Sequence, residues 1–159
     1  MADPWQARPR TVSVATDLAA PAARVWQAML LPATFLHVTR GLIRMPALEG
    51  RIDPVVQGES GTGRLWAFGV VPLHRHTIEI VAVDPDAGTL STHEHGGVLH
   101  RWDHVLRVEP AGPDRSRYSD TVTIDAGPLT PLVALLAAGI YRYRQRRWRR
   151  LAREHLAVT

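Results

Sequence analysis

One boundary constrains this chain more than any other feature. At Gly127-Pro128-Leu129-Thr130-Pro131 a succession of short segments ends, and the remainder, residues 130–157, reads as one long helix. Thr130 is the expected N-cap and Pro131 the first helical residue. Upstream, residues 11–18 alternate with period two and predict a strand. Ala20-Pro21 then opens a helical pattern over 22–31, with Val25, Trp26, Met29 and Leu30 at helical spacing. Pro32 ends it, and a second short helix is predicted over 33–38. Strands are predicted over 42–48, 64–71, 74–83, 89–95, 99–108 and 116–126. They are divided by turn signals at 58–63, Pro72, 84–88, Gly96-Gly97 and 110–114.

This order predicts an α+β helix-grip architecture. An antiparallel sheet must bury one face, and the C-terminal helix is the only element large enough to cover it. A strongly curved sheet wrapped around one amphipathic helix leaves a space between them, where a ligand would sit. The 159 residues suit a single domain spanning 1–159, with residues 1–10 as a flexible N-terminus.

Composition removes whole classes of chemistry. There is no cysteine, hence no disulfide scaffold, thiolate metal site, iron–sulfur cluster or cysteine nucleophile. Residues 2–10 lack the apolar stretch of a signal peptide, and the longest apolar run, 132–141, has about half the length of a bilayer span. A soluble, cytoplasmic protein is therefore expected. All 19 basic residues are arginine; residues 142–159 hold seven of them against one Glu, and 1–141 hold twelve against fourteen acids. Charge so concentrated is not that of a uniformly basic nucleic-acid binder, and no nucleic-acid partner is expected.

Several pieces recur in a familiar order: Ala20-Pro21 with Val25-Trp26, the Gly61-Thr62-Gly63 turn, and Trp102-Asp103-His104. Tyr118-Ser119-Asp120-Thr121-Val122 and Tyr143-Arg144-Gln145-Arg146-Arg147 follow. Taken together, from residue 12 to about 151, they resemble the START/SRPBCC superfamily, the birch-pollen-allergen-like proteins, near its polyketide cyclase/dehydrase-like branch. The resemblance implies the helix-grip fold and an internal cavity for a hydrophobic ligand. It implies no single activity, since members include carriers, cyclases and proteins without an assigned role.

Alternation assigns the chemistry-bearing residues to faces. Trp102, His104, Leu106 and Val108 share one strand face, the apolar one; Tyr118, Asp120, Val122 and Ile124 share the matching face of the next strand. A turn at 110–115 brings these strands together, so His104 and Asp120 are expected to meet. A buried aspartate needs a partner, and a His–Asp pair fixes the imidazole tautomer and raises its basicity. Such a pair reads either as a general acid/base or polar anchor at the cavity wall, or as a polar lock holding two strands in register.

On the long helix, Arg142, Arg146, Arg149, Arg150 and Arg153 fall in one stripe that reads as solvated. Val133, Leu136, Ile140, Tyr143 and Leu151 lie opposite, with Arg147 among them. Arg147 is thus either a cavity cation that binds a ligand carboxylate or pairs with Asp120 or Glu94, or an arginine whose stem packs while its head reaches water. The stripe, with Trp148 nearby, has weak contact with an anionic surface as its functional reading, and ordinary charge complementarity at a helix C-terminus as its alternative. Eight histidines include the i,i+2 pairs His74/His76 and His93/His95, and His100 and His104 share a face. There is no HExxH or helical HxxxH, so no metal is expected. No dinucleotide loop or nucleophile elbow is present either, and no cofactor is expected.

The function expected is binding of a small hydrophobic molecule, a lipid or polyketide-like compound, by a carrier or sensor. Trp66, Phe68, Trp102, Leu106, Val122, Leu136, Ile140 and Tyr143 are expected as apolar wall residues, and His104, Asp120, Arg147 and Glu94 as polar groups. An aromatase/cyclase-type enzyme using His104 or Asp120 is the alternative; an interaction protein using the arginine stripe is the second. No local motif encodes oligomeric state.

Overall fold

The computed structural model describes residues 8–158; the expected flexible N-terminus falls largely outside them. Strand β1 (Arg10–Leu18) is followed by helices α1 (Ala22–Met29) and α2 (Pro32–Thr39). Strands β2 (Ile43–Arg44), β3 (Ser60–Ala67), β4 (Val71–Asp84), β5 (Thr89–Gly96), β6 (Leu99–Pro110) and β7 (Ser116–Asp125) come next, then helix α3 (Thr130–Leu151). The described strands form one antiparallel sheet of seven, in the order β1-β7-β6-β5-β4-β3-β2. The sheet is a meander whose first strand returns to pair with the last. Its concave face holds α3, so the architecture is the helix-grip arrangement that the order of elements implied.

Local differences from the expected elements have physical reasons. The strand expected over 42–48 shrinks to two residues, because Pro46 starts a 3-10 turn, Pro46–Leu48. That turn crosses β3 at Gly63, where a Cβ would stand 2.7 Å from the Ala47 Cβ. The Gly61-Thr62-Gly63 segment is therefore strand rather than turn, and Gly63 leaves room for the Ala47 and Met45 side chains that pack on it. The hairpin turn falls later, at residues 68–70. Thr130 is not the N-cap: Leu129 holds that position without a side-chain bond. The Thr130 hydroxyl instead accepts from the Ala126 N–H at 2.9 Å and donates to the Gly127 carbonyl at 2.7 Å, locking the turn into the helix.

Register shifts interrupt the ladders between Arg64 and Trp66, between Ile80 and Ala82, and between Glu94 and Gly96. Each such bulge bends the sheet and increases its twist, and together they give β3–β6 the curvature to close over a helix. Two clusters fill the enclosed space. One joins Val25, Met29, Val38, Ile80, Leu90, Tyr118 and Trp148; the other joins Val122, Ile124, Ala134, Ala137 and Tyr141. Beyond Thr130, the buried positions of α3 are Ala134, Ala137, Tyr141, Arg144, Gln145 and Trp148. The face expected from hydropathy (Val133, Leu136, Ile140, Tyr143, Leu151) is thus turned by about one residue. Two small alanines let the backbone of α3 sit close to the sheet, and the larger leucines are left at the margin: Leu136 is 57% exposed.

Candidate ligand-binding cavity

Between the two clusters the sheet and helices do not meet, and a cavity of about 630 Å³ remains. Its walls come from α2 (Phe35, Val38), β3 (Leu65), β4 (Ile78, Ile80), β5 (Leu90), β6 (Trp102, Leu106) and α3 (Leu136, Ile140, Tyr141). Leu73, Val98 and Leu136 both line the cavity and are exposed, so its mouth lies among the start of β4, the β5–β6 turn and the first turns of α3. At that turn Gly97 has φ +56°, and a Cβ there would lie 2.7 Å from the His74 ring. Only glycine tolerates both the left-handed backbone and the contact.

A band of polar side chains crosses the concave face. Antiparallel pairing sets Glu94 opposite Ile78 and Asp120 opposite Leu106, so His76–Glu94 and His104–Asp120 are diagonal neighbours of the same kind. The His76 Nε2 lies 2.8 Å from Glu94 Oε2, and the Thr92 hydroxyl donates to Glu94 Oε1 at 2.6 Å. His74 Nε2 stands 3.2 Å from His76 Nδ1. Two strands on, His104 Nε2 is 2.8 Å from Asp120 Oδ1, and the Tyr118 hydroxyl donates to the same oxygen at 2.8 Å. A carboxylate only accepts, so the Nε2 proton of each imidazole is directed at its acid. From the helix side, Arg144 Nη2 reaches within 3.8 Å of Asp120 Oδ1, and its guanidinium lies 5.1 Å from the Tyr141 ring centroid and 5.9 Å from that of Phe35. Both distances are in the cation–π range.

The electrostatics follow from this packing. Burial pushes the Asp120 carboxyl up, yet Arg144, the His104 hydrogen bond and the Tyr118 hydroxyl together hold it below the ordinary carboxylate range. Glu94 is likewise raised by burial and brought below its ordinary value by His76, His104 and Thr92. Burial, followed by the neighbouring Asp120, lifts the Tyr118 hydroxyl far above its usual range, so it stays a neutral donor. Burial and the adjacent His76 lower His74, which keeps that imidazole neutral. Arg144 is desolvated, but the carboxylates and phenols around it raise it further, so it stays charged.

The structure brings together His104, Asp120, Glu94, Trp102, Leu106, Leu136 and Ile140 around or directly behind the cavity. Asp120 stands behind the wall, reached through His104 and Arg144. Five expected residues lie elsewhere. Phe68 sits at the tip of the β3–β4 hairpin, 67% exposed, in a left-handed backbone with φ +53°. Trp66 lies on the other face of β3, and Leu65 takes the wall position. Val122 is sealed in the second cluster beneath Ala137 and Tyr141. Tyr143 donates its hydroxyl to the Arg40 carbonyl at 2.7 Å, and Arg147 donates to the His37 carbonyl at 3.0 and 3.3 Å. Both donate to carbonyls at the C-terminal end of α2, the His37 one shared with the Arg40 N–H, and so neither enters the cavity. Their places are taken by Tyr141 and Arg144. The spacing 134, 137, 141, 144, 148 carried that signal, and a buried arginine in the repeat masked it.

In the expected stripe, Arg142, Arg146, Arg150 and Arg153 are exposed, while Arg149 is half-buried and donates to the Thr16 hydroxyl at 2.9 Å. Arg150 pairs with Glu154 at 2.8 Å. His93 lies against Asp103, as does Arg101. No described helix is long and apolar enough to cross a membrane.

Residues 16–154 match the sequence profile of a family described as a domain of unknown function, DUF8410. The chain is a DUF8410 protein. No curated protein matches the DUF8410 chain in sequence. Solved structures do match it in shape. Norcoclaurine synthase from Thalictrum flavum, in complex with dopamine and hydroxybenzaldehyde, superposes with a TM-score of 0.66 at 14% identity, over 95% of this chain and 90% of that one. A START superfamily protein from Mycobacterium smegmatis gives 0.63 at 14% identity, over 91% and 97%. The Zhui aromatase/cyclase from a Streptomyces species gives 0.59 at 15%, over 91% and 96%. At such identity the likeness is one of fold, and the fold of this DUF8410 protein is that of the START/SRPBCC superfamily.

Proposed function

We propose that this DUF8410 protein binds a small hydrophobic molecule, of lipid or polyketide-like type, in the cavity between sheet and α3, as a carrier or sensor. The observation that carries this reading is the cavity itself. Its volume of about 630 Å³ is that of a small-molecule site, and an apolar wall with a few converging polar groups is the usual composition of one. Similarity of fold to a synthase holding two aromatic molecules and to an aromatase/cyclase supports a use for the cavity without naming the ligand. The test is native mass spectrometry of protein purified from its own host, followed by extraction of whatever is bound. A stoichiometric apolar compound is the expected result. Protein that emerges empty, and whose melting temperature ignores fatty acids, sterols and aromatic polyketides, overturns the reading.

A second reading is favoured by one observation. His104 lines the cavity while its Nε2 is held by Asp120, the arrangement by which a carboxylate orients an imidazole for proton transfer. As an aromatase/cyclase-type enzyme, the protein would fold a poly-β-ketone against the apolar wall, and His104 would assist enolisation and loss of water. His104→Gln keeps the size of the site and removes the base. On that reading it abolishes turnover of a poly-β-ketone thioester yet leaves binding within a few-fold; equal turnover by both proteins excludes it.

A further inference from the structure

Arg144 is 5% exposed, yet no hydrogen bond joins its guanidinium to any described residue, and its Nε is buried without a partner. Asp120 does not supply the missing acceptor. One terminal nitrogen stands 3.8 Å from Oδ1, beyond hydrogen-bond reach; that oxygen already accepts from Tyr118 and faces His104, and Oδ2 is buried with no hydrogen bond to Arg144 or to any other described residue. Glu94 is also engaged, with His76 on one oxygen and Thr92 on the other. A guanidinium has five N–H donors in a planar fork suited to a carboxylate, and leaving them unmet in a dry site costs free energy. Arg144 lines the cavity from α3, so its free edge is open to whatever occupies that space. The rings of Phe35 and Tyr141 lie within cation–π distance of the guanidinium carbon.

We propose that the ligand is an amphipathic anion, a hydrophobic carboxylic acid whose carboxylate is gripped by the free edge of Arg144 while its apolar body lies along the wall toward Leu106 and Ile78. This deepens the proposed function and rests on it. Asp120 does not forbid an anion here. It faces one corner of the fork, its charge is shared with His104 and Tyr118, and the carboxylate would approach the other edge. Asp120 holds the fork in place while the ligand satisfies it, and a bidentate Arg–carboxylate pair in low dielectric is among the stronger polar contacts available.

The test compares two matched pairs of probes on the full-length protein by tryptophan-fluorescence titration and thermal shift at pH 7.5. They are decanoic acid against 1-decanol, and 2-naphthoic acid against 2-acetylnaphthalene. The expected result is that in at least one pair the acid binds tenfold or more tightly than its neutral partner. Arg144→Gln then reduces the acid to the level of the neutral compound, and Arg144→Lys recovers part of the preference. Equal affinity of acid and neutral compound in the wild type overturns the Arg144 anchor and leaves the cavity reading standing. Failure of all four probes to bind overturns the Arg144 anchor, and the native mass spectrum then decides the cavity reading separately. The wild-type comparison decides the matter even if Arg144→Gln does not fold.

Discussion

A carboxylate that is 1% exposed, with Arg144 as its counter-charge and Tyr118 and His104 as its neighbours, stabilises the fold only while it is ionised. Asp120 and Glu94 both have folded-state values below their ordinary ones. Their contribution is therefore complete above the unfolded values, roughly pH 4 to 4.5, and is lost as pH falls through the depressed folded values. The melting temperature should decline gently below about pH 6.5, where the lowered His74 and His37 resist protonation, and drop steeply below about pH 4.5. Asp120→Asn should remove part of that slope and, at pH 7, cost about 3–5 kcal/mol, because it strands the Arg144 cation in a buried site. Urea denaturation at pH 7 and pH 4 measures both effects; a variant as stable as wild type at pH 7 would show that the ion pair is not integral. The pairing of His104 with Asp120 was legible from residue alternation, since one short turn joins their strands and fixes which faces agree. That one arginine faces the sheet was legible from helical spacing, which left Arg144 and Arg147 outside the exposed stripe. The choice of Arg147 over Arg144 failed because the helix phase is set by the close-packed alanines and not by the larger apolar residues. Phe68 misleads differently: aromatic and within a predicted strand, it stands at a turn in a backbone conformation that disfavours a side chain. Phe68→Gly should therefore leave stability unchanged or raise it by about 0.5–1 kcal/mol, whereas a wall residue so truncated would lose several. Equilibrium unfolding distinguishes the two.

At the scale of elements, the strands were visible because turn residues punctuate them, and their number and order follow from that punctuation. What alternation cannot carry is a bulge. The shift between β3 and β4 puts its extra residue on β4, between Arg75 and Pro72, while β3 keeps plain alternation and buries Gly63 and Leu65, leaving Trp66 on the other face. The rotation of α3 has its cause in packing. A helix that rests on a sheet at one side and borders a cavity at the other buries its small residues in the close contact and leaves its large ones over the space. Ala137 is 1% exposed against Val122 and Ile124, while Leu135 is 70% exposed. Ala137→Leu should accordingly cost about 1–3 kcal/mol by overpacking, and Leu135→Ala less than about 0.5 kcal/mol. Equal costs for the two substitutions would show that Ala137 does not sit in close contact with the sheet. A pair of urea titrations settles the ranking.

Across the whole molecule, the sheet closes well at both ends of α3 and stays apart between them. Tight packing is the rule inside proteins, so about 630 Å³ of mainly apolar space is stability left unrealised until something fills it. A ligand that binds only the folded state adds about 2.7 kcal/mol at a hundred times its dissociation constant. For a chain of this size that corresponds to a rise of roughly 5–11 °C in melting temperature. The position of the shift can be tested from within the cavity. Ile78 projects from β4 into the space, on the strand face that also carries His76 and Ile80. Ile78→Trp adds volume where there is room for it, so the unliganded variant should melt within a few degrees of wild type. The same bulk occupies the place of the ligand, so the ligand-induced rise should fall below about a quarter of its wild-type size. Differential scanning calorimetry of both proteins, with and without the compound extracted from the native protein, reads the two quantities independently. A variant that keeps the full ligand-induced rise would mean that the molecule binds elsewhere. A variant whose unliganded form melts far lower would mean that the space is already filled by side-chain motion, and the apolar gap would then be a reserve of flexibility in the sheet instead of a binding site.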